Sequence, residues 1–203
     1  MRVGRVGPTV LVVCLASAAL SACSPSQLGA AAMVDDKRIT VSEIQGTLKS
    51  VHALQNRYGI TAADSPTAAR DEVQRRIIDL IFDRAASDMG VAVSPGEIST
   101  AEGAENQRVG GATAFAKEFA RANLSLDAVD EVFRMQLLNR KMTQNLAAAN
   151  VGSTSQQLTA KLLGDLSSAA KSMRIKVNPR YGTFDVQAGQ INPVVFDFLR
   201  PAG

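Results

Sequence analysis

Two thiols and one imidazole set narrow limits on the chemistry open to this chain of 203 residues. The imidazole, His52, is the only one, which removes paired-histidine zinc sites and most histidine-based catalytic groupings. No H-E-x-x-H, C-x-x-C, G-x-S-x-G or phosphate-loop pattern occurs. Adjacent carboxylates stand at Asp35-Asp36 and Asp71-Glu72. The first pair suits a turn, and the second suits the first turn of a helix, where the helix dipole favours negative charge. His52, beside Val51, Leu54 and Arg57, is expected at the surface or partly packed. No catalytic residue, cofactor or metal is expected.

The thiols have different settings. Cys14 lies inside Val10 to Leu20, an uncharged apolar run of 11 residues preceded by Arg2 and Arg5. As a helix rising about 1.5 Å per residue, that run falls well short of a hydrocarbon core of roughly 30 Å. It has the layout of an export signal, a basic start followed by a short apolar stretch. The stretch closes on Leu20-Ser21-Ala22-Cys23, which resembles the bacterial lipobox: an aliphatic residue, two small ones, then cysteine. The resemblance implies cleavage before Cys23, removal of residues 1–22, and attachment of acyl chains to the Cys23 sulfur. Small residues let a protease approach the backbone, and the thiol is the nucleophile. More than one acyl chain, at about 0.8 kcal/mol per buried CH₂, gives lasting anchorage. An ordinary secretory signal, cut after Ala18 in Ala16-Ser17-Ala18, is the competing reading. On the lipobox reading the protein is held at the cell membrane on its extracytoplasmic side, with residues 23–30 as a tether. Cys23 is then the sole thiol, so no internal disulfide can form.

Charge excludes another class. Removing Arg2 and Arg5 leaves 20 basic against 19 acidic residues in the mature chain. Acids and bases alternate, as at Arg70, Asp71, Glu72, Arg75 and Arg76, a pattern expected of a solvated helix face with local pairing. A nucleic-acid footprint is not expected. With seven Phe, two Tyr and no Trp, the core must rest on Leu, Ile, Val, Met and Ala, which favours helices.

The elements follow from periodicity and caps. Ala31 to Val34 is a short apolar stretch, Asp35-Asp36 a turn, and Lys37 to Ile39 a second extended piece. Thr40-x-x-Glu43 is a capping box for a helix over 41–58 carrying Ile44, Leu48, Val51 and Leu54 on one face, ended by Gly59. Asp64-Ser65-Pro66 opens a second helix with Val73, Ile77, Leu80, Ile81 and Phe82, stopping at Gly90. Ser94-Pro95-Gly96-Glu97 caps a third. Gly110-Gly111 precedes a fourth over 113–123, with Phe115 and Phe119 one turn apart. A fifth spans 126–149 with Val129, Val132, Phe133, Leu137 and Leu138, and a sixth spans 154–172. Met173 to Val177 alternates as a strand does, and 178–185 is rich in turn residues. Residues 186–203 form a tail without a predicted place. The fold class expected is mainly α, about six helices with a small strand pair joining the N- and C-terminal segments.

This order of elements resembles the N-terminal chaperone domain of the SurA and PrsA foldases. The resemblance rests on Ile39-Thr40-x-Ser42-Glu43 before a long helix pair, then Val93-Ser94-Pro95-x-Glu97-Ile98. A short Phe-bearing helix and Leu124-Ser125-Leu126-Asp127 opening a long helix complete it. Asn178-Pro179-Arg180-Tyr181-Gly182 is similar to the return segment of the actinobacterial branch. It covers residues 31–185 and implies a chaperone-like domain. The parvulin isomerase domain of the larger members has no counterpart. Only residues 143–172 separate Met142 from Met173, they contain no His, and Gly164-Asp165-Leu166 echoes its motif within a helical pattern. An enzyme is therefore not expected. The resemblance implies an ATP-independent holder of unfolded or newly exported polypeptides, with Phe115, Phe119, Phe133 and Met135 as candidates to line an apolar groove. An accessory lipoprotein gripping one dedicated envelope partner is the alternative. Membrane lipid through Cys23 and unfolded protein are the partners expected.

Overall fold

The computed structural model describes residues 29–61 and 67–193. The export segment, Cys23, most of the tether, Asp64-Ser65-Pro66 and the end of the tail lie outside the described residues.

The chain is mainly helical, with six α-helices and small antiparallel strand groups, as the sequence predicts. Strand β1 (Ala30–Val34) turns through Asp35 and Asp36 into β2 (Lys37–Thr40). Asp35 takes a φ of 52°, a left-handed turn position that Asp tolerates better than most residues. Helix α1 (Val41–Arg57) starts on the predicted box: the Glu43 amide donates to Thr40 Oγ1 at 3.1 Å, and the Thr40 amide to Glu43 Oε2 at 2.7 Å. Helix α2 (Ala68–Asp88) follows, then α3 (Pro95–Arg108), whose Ser94/Glu97 box closes the same way. Helix α4 (Ala112–Arg121), a 3₁₀ turn at Leu126–Ala128 and α5 (Val129–Ala149) come next. Helix α6 (Ser155–Ser172) has a third box, Thr154 with Gln157.

Strand β3 (Ile175–Val177) returns to pair antiparallel with β1, giving sheet order β2-β1-β3. Residues some 140 positions apart are thus tied together, and Asn178 adds bonds from its amide to Ala31 O and from Nδ2 to Ala30 O, 2.9 and 3.1 Å. The tail does return to the body over part of its length. Strand β4 (Thr183–Asp185) pairs with β5 (Gln190–Asn192), Ile191 is buried, and its amide donates to Gln74 Oε1 on α2 at 2.8 Å. Gly182 makes that pairing possible, with a φ of 126° and no side chain where a Cβ would lie 2.1 Å from the Asn192 carbonyl oxygen.

The apolar residues collect in two clusters. The larger centres on α2, where Val73, Ile77 and Ile81 meet Val34, Ile44, Leu138, Met142 and Leu162. The smaller joins Leu54 of α1 to Phe115, Phe119, Val129 and Phe133 of α4 and α5. Helices α1 and α5 run through both. Between them lies a polar seam, and the site is built on it.

Candidate functional site

Helix α1 carries its apolar stripe through Ile44, Leu48, Val51 and Leu54, and Gln55 lies beside Leu54 at the edge of that stripe, one turn after Val51. Gln55 is buried, 2% exposed. Its Nε2 donates to Ala120 O at 3.0 Å and to Asn123 Oδ1 at 2.9 Å, which pins the turn after α4 against α1. Asn123 adopts a φ of 57°, so this turn needs a residue tolerant of left-handed backbone. Because a carbonyl can only accept, the bond to Ala120 fixes which end of the Gln55 amide faces it, and Oε1 is left buried with no partner.

Opposite α1, helix α2 presents Glu72 and Arg75. The alternating charges on α2 are not simply a solvated face: Glu72 and Asp79 are buried, 8% and 7% exposed, and the pairing is only partly local. Arg75 grips Glu72 with Nε and Nη2, both at 2.9 Å, while Nη1 donates to Asp79 Oδ2 and across to Glu131 Oε2 on α5, both at 3.0 Å. Arg76 adds a 2.8 Å bond to Glu72 and a 3.0 Å bond to Thr47 Oγ1 on α1. Arg134 of α5 pairs with Asp83 of α2. Burial alone would pull the Arg75 guanidinium down, but its bonds to Glu72 and Glu131 and the Asp79 charge more than offset this, so it stays ionised. Burial pushes the Asp79 carboxyl up to about 6; Arg75 pulls it part of the way back, and Glu131 raises it again.

Between these walls is a cleft of about 280 Å³. Leu48, Val51 and Leu124 supply apolar surface, and Thr47, Gln55 and Arg75 supply polar groups at the seam between the two clusters. Asp71, Glu72, His52 and Asn123 also line it, so the cleft is mixed, with an apolar strip set among charged and amide groups. His52 stands exposed at its rim, which matches the surface position expected for it.

Three of the four residues proposed for an apolar groove come together, but as core. The rings of Phe115 and Phe119 lie 4.8 Å apart and those of Phe115 and Phe133 6.2 Å, and all three are buried. Phe115 also reaches the wall of a more open hollow of about 370 Å³ beside Ala112, Leu126 and Val129. Met135, two residues beyond Phe133 and so on the other side of α5, is half-buried and is not in that cluster. Gly164, Asp165 and Leu166 lie within α6. Leu20, Ser21, Ala22 and Cys23 lie outside the described residues. The cleft residues Gln55, Arg75 and Asn123 were not expected from sequence. The available signal was a polar residue one turn after Val51, at the edge of the α1 stripe, and an asparagine directly after a helix end at 123.

Among the described residues no group of His, Cys, Asp and Glu could hold a metal ion, and no helix is long and apolar enough to cross a membrane. Compared with known proteins, the chain matches no family model, and no curated protein matches it.

Proposed function

We propose that this chain is a membrane-tethered, extracytoplasmic, chaperone-like lipoprotein that holds exported polypeptides before they fold. The cleft between α1, α2 and the α4–α5 turn is the observation that carries this reading. Its volume suits one or two side chains of an extended polypeptide, and its wall offers apolar contact from Leu48, Val51 and Leu124 beside the polar groups of Thr47, Gln55 and Arg75. Such a site binds weakly and broadly, which is what a holder of many clients needs. No nucleotide is required, because release follows from weak binding. Lipid on Cys23 keeps the cleft near the point where clients emerge. Lipobox-like Leu20-Ser21-Ala22-Cys23 and the order of elements resembling the SurA and PrsA chaperone domain support the same reading.

The test is light scattering from a chemically unfolded protein diluted into buffer with the purified mature chain. Suppressed aggregation is expected, and the double variant Leu48→Asp, Leu124→Asp should abolish it while the far-UV spectrum remains helical. A folded wild-type chain with no effect on aggregation would overturn the reading. Pull-down of the native anchored protein separates the alternative: many unrelated clients support a holder, and one stoichiometric envelope protein supports a dedicated accessory role.

A further inference from the structure

The open hollow of about 370 Å³ lies between α3, α4 and the start of α5. Its floor is apolar: Phe115, Ala116 and Val129 are buried, and Leu126 at the edge is 42% exposed. Three carboxylates share the same wall, Glu102 of α3, Asp127 of the 3₁₀ turn and Asp130 of α5. Among the described residues none of the three is in an ion pair, although the acids around them are. Glu97 takes Lys141, Glu105 takes Arg108 and Glu131 takes Arg75, while Arg134, one turn on from Asp130, turns to Asp83. The dipole at the start of α5 favours Asp127 and Asp130. Glu102 has no such support. It sits mid-helix, and the positions where a helical partner would stand hold Ile98, Ser99, Glu105 and Asn106. Three negative charges gathered round one hollow raise one another's energy, and a cation there would relieve it.

A lysine or arginine side chain fits both halves of this arrangement. Such a side chain buries its methylene stem on apolar surface and keeps its charged head at the rim. Here the stem meets Phe115 and Val129, and the head meets the carboxylates. We infer that the hollow is a second subsite of the polypeptide-binding surface, taking a Lys or Arg of the same extended client whose apolar residue enters the cleft between α1 and α2. The two sites adjoin at the α4–α5 turn: Leu124 lines the cleft and Leu126 the hollow. Ser125 between them is buried and has extended backbone, with φ −86° and ψ 159°. Alternate residues of an extended chain project to one side at about 3.3 Å per residue, so the two leucines stand about 7 Å apart on one side of the turn. A client running along the turn spans that gap with about two to four residues. The inference rests on the reading of the chain as a polypeptide holder and names its client class, segments in which a cation stands close to a bulky apolar residue. An anionic lipid surface is the wrong partner for this face, because the three carboxylates repel it.

The test is fluorescence anisotropy of short labelled peptides with the full mature chain. The peptides share a Leu-Val-Phe core and differ only in two flanking residues, both Lys, both Gln or both Glu. An exposed ion pair contributes about threefold in affinity, so the Lys peptide should bind about tenfold more tightly than the Gln peptide, and the Glu peptide more weakly than either. The difference should shrink as salt rises. Glu102→Gln with Asp127→Asn and Asp130→Asn should erase the preference for Lys and leave binding of the Gln peptide as it was. Asp165→Asn, at an exposed acid of α6, should keep the preference. Equal binding of the Lys and Gln peptides to the wild type, or a preference for Lys that survives in the triple variant, would overturn the subsite. The Gln peptide judges the holder reading separately, since it should bind the wild type and be lost with Leu48→Asp, Leu124→Asp. Failure of that arm beside an intact Lys preference removes the cleft and not the hollow, whereas no binding of any peptide removes both.

Discussion

Asp79→Asn should remove a pH dependence that this fold imposes on itself. The Asp79 carboxylate is buried, with Oδ2 accepting from Arg75 at 3.0 Å and Oδ1 without a partner. Burial is the main reason that its pKa stands at about 6 against an ordinary 3.8; Arg75 and Arg134 moderate the rise, and Glu131 and Glu72 add to it. The folded chain therefore takes up this proton before the unfolded chain does. Stability rises as pH falls through 6 towards 4, and above 6 the cost of the buried charge is borne in full. A gap of roughly two pKa units corresponds to at most about 3 kcal/mol, of which about 1 to 1.5 kcal/mol is realised between pH 8 and pH 5. For a chain of this size that is a rise in Tm of about 3 to 5 °C on acidification. Below pH 4.5 the trend reverses. Glu97, whose pKa the Lys141 ammonium and Ser94 hold at about 2, and Glu43, held low by Thr40, favour the fold only while ionised. Urea unfolding followed by far-UV circular dichroism, with wild type and Asp79→Asn compared at pH 8 and pH 5, measures the effect. The wild type should be more stable at pH 5 and the variant should lose most of that difference. A wild type that weakens between pH 8 and 5, or a variant with the same slope, would show that Asp79 does not carry the burden assigned to it.

Met142, fully buried where α2, α5 and α6 meet, should cost about 2–5 kcal/mol when cut to Ala, read as a lower urea midpoint at unchanged slope. Gly182→Ala forces a Cβ to within 2.1 Å of the Asn192 carbonyl at a φ of 126°, so the β4–β5 pairing should open; hydrogen exchange at Ile191 should become fast while α2 stays protected. Thr154→Ala removes the cap of α6 and should cost about 0.5–2 kcal/mol, with faster exchange confined to the first turn of that helix.

How far these features were legible in the sequence depends on the range of the interaction. Caps are local, so Thr40/Glu43 and Ser94/Glu97 can be read directly, and so can most of the stripes of α1, α2 and α5, whose members are buried except Leu48, Leu80, Phe82 and Val132, which are half-buried. The strand pair joining the two ends was legible because Met173 to Val177 alternates and the residues before Asp35 are apolar. Strands β4 and β5 have three residues each, too few to show a period, and β5 is held by Gln74 on a helix more than a hundred positions away. The Arg75 network failed to show for the same reason. Glu72, Arg75 and Asp79 alternate as a solvated face would, and only the packing of α5, with Glu131 and Arg134, turns that face inward. Phe115 and Phe119 were rightly placed on one face of α4, but their spacing carries no information on whether that face closes on Phe133 or stays open.

A photoreactive residue placed at Leu124, on the native lipid-anchored chain, tests the holder reading most directly when an unfolded client is supplied and the sample illuminated. Covalent adducts from position 124, and few from a matched probe at Lys161 on the outer side of α6, are the expected result. Adducts in equal yield from both positions, or none from Leu124, would contradict a polypeptide-binding cleft between α1, α2 and the α4–α5 turn.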